Sequence, residues 1–174
     1  MLRFSVAAIL LCGAMMGACD DADEKPISFD VKVLNKEGIN INYEGKTVRI
    51  RFGESIGSVK KKLPECDEGS GSLGFYQLGF DFTKSSIWGT NIVGLDMISI
   101  HSPEYDWFYT DRYRLKTINV GSGLRCPDCS RADVVDALGK PDEVSDKKDR
   151  YLDLGMSFRF EDNGDFHYMY VDDE

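Results

Sequence analysis

The chain has 174 residues, of which 30 are acidic and 21 are basic, so its formal net charge is −9. Such an acidic chain is poorly suited to nucleic-acid binding, which depends on clusters of Lys and Arg against phosphates. The charge suits a basic partner, or it serves solubility alone. Once the N-terminal segment is set apart, about 150 residues remain, enough for one domain or two very small ones.

The first 18 residues have the organisation of a secretory signal. One basic residue, Arg3, precedes an apolar run from Phe4 to Met16, and the small residues Gly17 and Ala18 follow. This run is too short to cross a bilayer, which needs about 20 apolar residues. Removal of the segment takes away Arg3 as its only charge, so the mature chain would carry a net charge of −10.

The sequence Met16-Gly17-Ala18-Cys19 resembles the lipobox of bacterial lipoproteins. In that family signal peptidase II cleaves before the cysteine, which then carries the acyl chains. The resemblance implies lipidation of Cys19, a polar tether over 19–25, and a location in the bacterial cell envelope, facing the periplasm from either membrane. The alternative is an ordinary cleaved signal that happens to be followed by a cysteine.

Residues 26–102 are predicted to form a first α+β unit, which begins with a meander of three short strands. Apolar residues alternate with polar ones in five segments, as expected for half-buried strands. These segments are 27–34, 39–43, 47–52, 73–82 and 96–101. A short helix capped by Ser55 or Ser58 is predicted after the third strand, and Pro64 stops it.

The second predicted α+β unit covers 117–174 and starts with a short strand at 117–120. Ser130 and Asp133 have the spacing of a capping box, with Asp in the place of Glu, and predict the start of a helix. Gly139 predicts its end.

A β-hairpin is predicted between Tyr151 and Val171. Asn163-Gly164 suits a two-residue loop, because both residues tolerate positive φ. The resulting register pairs Phe160 with His167, Phe158 with Met169 and Met156 with Val171. One face is then apolar, and the other, with Ser157, Arg159, Tyr168 and Tyr170, suits contact with water. The amphipathic helix just before the hairpin is the predicted cover for the apolar face.

Three sequence blocks of the first half recur in the second half in the same order. The matched blocks are 48–53 with 117–121, 58–63 with 133–138, and 76–82 with 152–158. This pattern favours an internal duplication. Chance similarity between two strand-helix-strand units is the alternative.

The skeleton of Gly121, Val134, Leu138-Gly139 and Pro141 resembles small envelope lipoproteins of the SmpA/OmlA type. Those proteins belong to the outer-membrane barrel-assembly machinery. They are similar in fold to each half of the β-lactamase-inhibitor proteins, which are tandem repeats. The resemblance implies an α+β fold of two related units, each a short helix packed on an antiparallel sheet, preceded by the N-terminal meander.

Cys126-Pro127-Asp128-Cys129 is the strongest chemical motif, and Cys66 is a third thiol in the mature domain. A CxxC before a helix resembles a thioredoxin redox motif. No βαβ unit follows, however, and exported proteins meet oxidising conditions, so a structural disulfide is favoured over redox activity or a metal site. The pairing among the three cysteines stays open, and one thiol is expected to remain free.

Residues 103–116 are predicted to form a connector rich in aromatic and Arg side chains. Such side chains dominate the energetics of protein interfaces. The candidate partner-binding residues are Tyr105, Trp107, Phe108, Tyr109 and Arg112. Alternatively, these residues fill the junction between the two units.

The sequence contains no serine-hydrolase, zinc-protease, P-loop or dinucleotide-binding motif. His101 and His167 are predicted to be packing residues, and 161–165 a turn rather than a calcium site. We therefore expect a non-enzymatic protein, without cofactor or metal, that binds a protein partner as an inhibitor or immunity-type lipoprotein. The alternatives are an accessory subunit of an outer-membrane assembly complex and a thiol-disulfide redox protein.

Overall fold

The computed structural model describes residues 26–68, 71–87, 90–103 and 113–173, with only the backbone described for 83–87 and 90–93. The lipidation candidate Cys19 and its tether lie outside these residues. So do the predicted partner-binding residues Tyr105, Trp107, Phe108, Tyr109 and Arg112. Neither helix in the described part is long and apolar enough to cross a membrane.

Strands make up most of the described chain. In chain order they are β1 (Ile27–Val33), β2 (Gly38–Tyr43), β3 (Lys46–Arg51), β4 (Asp67–Glu68), β5 (Ser72–Phe75), β6 (Leu78–Ile87), β7 (Thr90–His101), β8 (Tyr113–Gly121), β9 (Leu124–Cys126), β10 (Glu143–Val144), β11 (Lys148–Tyr151), β12 (Met156–Phe160) and β13 (Phe166–Asp172). The α-helices are α1 (Ile56–Lys62) and α2 (Arg131–Leu138), and 3₁₀ turns lie at Asn35–Glu37 and Leu152–Leu154.

These strands form two sheets. The five-stranded sheet has the order β3-β2-β1-β8-β9, and the eight-stranded sheet has the order β10-β11-β12-β13-β7-β6-β5-β4. The predicted meander of the first three strands is confirmed, since β1, β2 and β3 are antiparallel neighbours. On its other side β1 pairs in parallel with β8, which places Ile27 beside Tyr113. In the eight-stranded sheet, the pairing of β13 with β7 joins the meander β4–β7 to the meander β10–β13.

The apolar faces of the two sheets meet in one core. The ring of Phe29 in β1 packs edge-on against the ring of Phe75 in β5, with centroids 5.8 Å apart. The Tyr113 ring in β8 lies 6.0 Å from the same Phe75 ring. A hydrogen bond also links the layers, because the Leu115 amide donates to the side-chain oxygen of Gln77 at 3.0 Å. The fold is therefore a two-layer β-sandwich.

The predicted α+β architecture, in which a short helix covers each of two sheets, is wrong. Helices of seven and eight residues are only about 10–12 Å long. Eight strands at about 4.8 Å spacing span roughly 35 Å, so such helices cannot cover the sheet. Each helix buries little, with Val59 the fully buried residue of α1 and Val134 that of α2. The apolar face of the β12–β13 hairpin belongs instead to the core that the two sheets share.

The capping residues predict the starts of both helices correctly, although the predicted packing of the helices is wrong. Helix α1 begins after Ser55, whose hydroxyl accepts from the Ser58 amide, so Ser55 is the cap of the two candidates. Helix α2 has the predicted capping box between Ser130 and Asp133, and Gly139 ends it with φ of 85°. Both helices therefore start where their side-chain caps place them.

The hairpin between β12 and β13 forms with most of the predicted register. Met156 pairs with Val171 and Phe158 with Met169, and the side chains of all four are buried. The predicted apolar face is therefore confirmed.

The loop of this hairpin differs from the predicted two-residue turn. The Gly164 amide donates to the Glu161 carbonyl, and Gly164 adopts φ of 88°, which describes a type I turn followed by a glycine bulge. The longer loop shifts the last pair, so that Phe160 faces Phe166. His167 becomes an extra residue in β13, and its side chain pairs with Glu161 instead of facing Phe160.

Three strand predictions have wrong bounds. The strand predicted at 96–101 begins at Thr90, as β7. The segment 73–82 is not one strand but the tight hairpin between β5 and β6, in which Tyr76 turns the chain with φ of 55°. The strand predicted at 117–120 begins at Tyr113, so the last part of the predicted connector belongs to β8.

Candidate partner-binding surface

Two rows of side chains cross the eight-stranded sheet on the side away from the core, and we call this surface the outer face. The pairing register of the strands shows that both rows run across β11, β12, β13 and β7. The first row is Lys148, Arg159, Tyr168 and His101, and the second is Arg150, Ser157, Tyr170 and Ser99. Successive residues of a strand point to opposite sides, so their neighbours Phe158, Met169 and Ile100 lie in the core, fully buried.

Tyr168 is the centre of an aromatic cluster on the outer face. Its ring centroid lies 5.0 Å from that of Tyr170, 5.3 Å from that of His101 and 4.9 Å from that of His167. The guanidinium carbon of Arg159 lies 5.8 Å from the centroid of the Tyr168 ring, a cation–π distance. These contacts hold the tyrosine rings in place in the absence of a partner.

Two members of the aromatic cluster, Tyr170 and His101, are uncharged at neutral pH. Burial, followed by a hydrogen bond with Tyr168, raises the pKa of Tyr170 to about 12, so its phenol stays protonated. Burial, followed by the proximity of His167, lowers the pKa of His101 to about 4, so its imidazole is neutral. Neither of these two side chains therefore contributes charge to the outer face.

The two sides of the aromatic cluster carry charges of opposite sign. Lys148 and Arg159 occupy directly opposed positions on β11 and β12, and Arg150 lies two residues further along β11. On β6, beyond β7, Asp81 lies on the same side of the sheet, and burial followed by the nearby Asp96 raises the pKa of its carboxyl group. The outer face thus has a cationic flank, an aromatic centre and an acidic flank.

The CxxC motif forms a disulfide between Cys126 at the end of β9 and Cys129 just before α2, with Cα atoms 4.8 Å apart. The two residues are 2% and 4% exposed. A bond across three sequence positions closes a very short loop, for which chain-entropy reasoning gives about 2 kcal/mol of stabilisation. The disulfide fixes the entry of the chain into α2.

Cys66 is the free thiol of the three and lies buried, shortly after the end of α1 in the chain. It pairs with neither Cys126 nor Cys129, so a bond between the two halves of the chain does not form. Burial, with Asp67 as a smaller cause, raises the pKa of the Cys66 thiol to about 12. A thiol in this state is a poor nucleophile.

Sequence reasoning located part of the outer face and missed the rest. It placed Ser157, Arg159, Tyr168 and Tyr170 on one side of the hairpin, because side chains alternate along a strand. Ser157 is only 4% exposed, however, so the predicted contact of this residue with water is wrong. Sequence reasoning did not predict that His101 and Lys148 lie beside these side chains, because this neighbourhood depends on the pairing of β13 with β7 and of β11 with β12. The spacing of Lys148 and Arg150, two positions apart on β11, was the local signal that could have placed both side chains on one side of the sheet.

In the described ranges, no group of three or more His, Cys, Asp or Glu side chains could hold a metal ion. Comparison with known proteins gave no match to a family model, a curated protein or a solved structure.

Proposed function

We propose that the protein is a lipid-anchored protein of the bacterial cell envelope that binds a protein partner through its outer face. In this proposal it acts without catalysis, as an inhibitor or immunity-type lipoprotein. The observation that carries the proposal is the cluster of Tyr168, Tyr170 and Arg159 on the outer face. The secretory segment and the lipobox-like sequence ending at Cys19 support the anchor.

The chemistry of this cluster suits a protein interface. Tyr and Arg are enriched among the residues whose truncation costs most binding energy, because each contributes large contact area together with polar groups. Side chains already fixed by their neighbours lose less entropy on binding. Ring contacts hold Tyr168 and Tyr170, and the strands beneath them belong to a sheet of eight.

The disulfide supports a structural role for the CxxC motif in this proposal. Thiol-disulfide exchange requires a thiolate to approach one sulfur of the bond closely. Cys126 and Cys129 are both buried, which hinders such an approach.

Affinity capture followed by a binding measurement tests the proposal. The full chain in mild detergent serves as bait for envelope extracts and for supernatants of competing cells. Each captured protein is then purified and titrated against the wild type, Tyr168→Ala and Tyr170→Ala. We expect at least one of these variants to weaken binding by about tenfold or more, as for interface hot spots.

Val135→Ala is the matched control, because Val135 is an exposed apolar residue on α2 and not on the outer face. It should bind as the wild type does. If all variants bound every captured partner with equal affinity, the result would contradict binding through the outer face.

The anchor has its own test. Membrane fractionation should move the protein from the membrane to the soluble fraction in the Cys19→Ser variant. A Cys19→Ser protein that remains membrane-bound would contradict lipidation at this residue.

A further inference from the structure

Lys148 and Arg159 are like charges at directly opposed positions of neighbouring antiparallel strands. Side chains at such positions have Cβ atoms about 5 Å apart, and like charges there destabilise the sheet. The cationic flank therefore has electrostatic repulsion built into it.

Neighbouring cations are neutralised, whereas these two are not. The Lys147 ammonium group lies 2.5 Å from an Asp162 carboxylate oxygen, and Arg150 lies 3.0 Å from a Glu143 carboxylate oxygen. Within the described ranges, no carboxylate forms an ion pair with Lys148 or Arg159. Their two charges are thus left without a carboxylate partner among the described residues.

The Arg159 guanidinium is also oriented. Its central carbon lies 5.8 Å from the centroid of the Tyr168 ring, and a guanidinium that stacks on a ring can still donate hydrogen bonds from its edge. A carboxylate accepts from a guanidinium through two parallel hydrogen bonds and gains further attraction from a nearby ammonium group. The register places Lys148, which carries the ammonium group, directly opposite Arg159.

We propose that Lys148 and Arg159 form a seat for an Asp or Glu carboxylate of the protein partner, so that the partner presents an acidic surface to the cationic flank. This inference rests on the proposed function and specifies the chemistry of its partner. A protein carboxylate fits better than a phosphate polymer, because the seat offers one pair of cations, whereas a phosphate polymer needs a larger cluster of Lys and Arg. The tyrosines beside the seat also suit a protein surface.

The first test measures the repulsion itself. Thermal unfolding of the full chain at low salt is compared for Lys148→Gln, Arg159→Gln and the double variant. Each single substitution should raise the Tm, the double should raise it no further than the better single, and high salt should remove the difference. Additive effects, or a Tm lowered by both single substitutions, would contradict the repulsion on which the seat depends.

The second test uses a defined probe, a rhodamine-labelled peptide of twelve residues with alternating Glu and Ser, followed by fluorescence anisotropy. We expect salt-sensitive binding that weakens about tenfold in Lys148→Gln and in Arg159→Gln. Arg125→Gln, which removes an exposed cation from β9, is the matched control and should bind as the wild type does. Failure of both variants to weaken binding would overturn the seat.

Single-stranded DNA and phosphatidylglycerol vesicles serve as competing probes. Tighter binding of either, with the same dependence on Lys148 and Arg159, would overturn the carboxylate in favour of phosphate. Binding of the partner found by affinity capture distinguishes a failure of this inference from a failure of the proposed function. Loss of the partner in Tyr168→Ala but not in the two Gln variants would leave the function standing and refute the seat.

Discussion

Arg131 connects the start of α2 to the turn between β10 and β11. Its guanidinium donates to the Asp149 carboxylate, with Nε 2.9 Å from Oδ2, and to the carbonyl oxygens of Ser145 and Asp146 at 2.7 and 2.8 Å. Asp149 is 1% exposed, on the core side of the sheet. A carboxylate at such a depth is tolerated because the guanidinium satisfies it.

Arg131→Met should therefore destabilise the protein strongly. The substitution leaves the Asp149 carboxylate buried without its cation, and we expect the free energy of unfolding to fall by about 3 kcal/mol. Urea unfolding measures this change. Arg125→Met, on an exposed position of β9, is the control, and an equal effect of the two substitutions would contradict the role given to Arg131.

His101 gives stability a pH dependence. Its folded-state pKa, about 4, lies below the value of about 6.5 for an unfolded chain, because burial and then His167 disfavour the charged imidazole. The contribution of neutral His101 is thus present above pH 6.5 and is lost as the pH falls from there toward 4. The full loss corresponds to about 3 kcal/mol.

Urea unfolding of the wild type and His101→Gln between pH 8 and pH 4 tests this dependence. The stability difference between the two proteins should shift in favour of His101→Gln as the pH falls. A difference that stays constant over this range would show that His101 does not titrate as described.

At the scale of elements, the edge strand β3 is protected by side chains from the following segment. The Lys62 ammonium donates to the Arg49 carbonyl at 2.8 Å, and the Glu54 carboxylate accepts from the Arg51 amide at 2.9 Å. Lys62 and Glu54 also bond to each other at 2.6 Å. Partial burial would raise the pKa of Glu54, but hydrogen bonds from Lys62, Ser58 and the Arg51 amide lower it overall.

Lys62→Met should expose the β3 edge. We expect concentration-dependent self-association in sedimentation velocity, because free edge groups pair with other chains, and a loss of about 1 kcal/mol in stability. Lys61→Met, on an exposed position of the same helix, should do neither. A monomeric Lys62→Met protein of unchanged stability would contradict the protection of this edge.

The elements were largely predictable, and their packing was not. Alternation predicted the first three strands and the buried face of β12 and β13, and hydroxyl caps predicted both helix starts. The tight turn at Tyr76 was missed because it carries no glycine, asparagine or proline to mark it. The cover of the hairpin was predicted from sequence proximity, although helices as short as α1 and α2 have too little apolar surface for an eight-stranded sheet.

At the scale of the whole molecule, long-range strand pairing determines the outer face. The parallel pair of β1 and β8 and the antiparallel pair of β7 and β13 join segments far apart in sequence. No local pattern encodes such pairs, so the sequence could not place His101 beside Tyr168.

The proposed internal duplication concerns the two meanders of the eight-stranded sheet. The matched blocks 76–82 and 152–158 run into β6 and β12, and each of these is the third strand of a four-stranded meander. The internal duplication stays a prediction.

The most direct test of the account is hydroxyl-radical footprinting of the protein with and without its captured partner, read residue by residue by mass spectrometry. If the outer face binds, the partner should reduce oxidation of Tyr168 and Tyr170 and leave Trp107 and Tyr109 unchanged. The opposite pattern, with protection of Trp107 and Tyr109 and none of Tyr168 and Tyr170, would contradict the outer face and return the binding site to the aromatic connector.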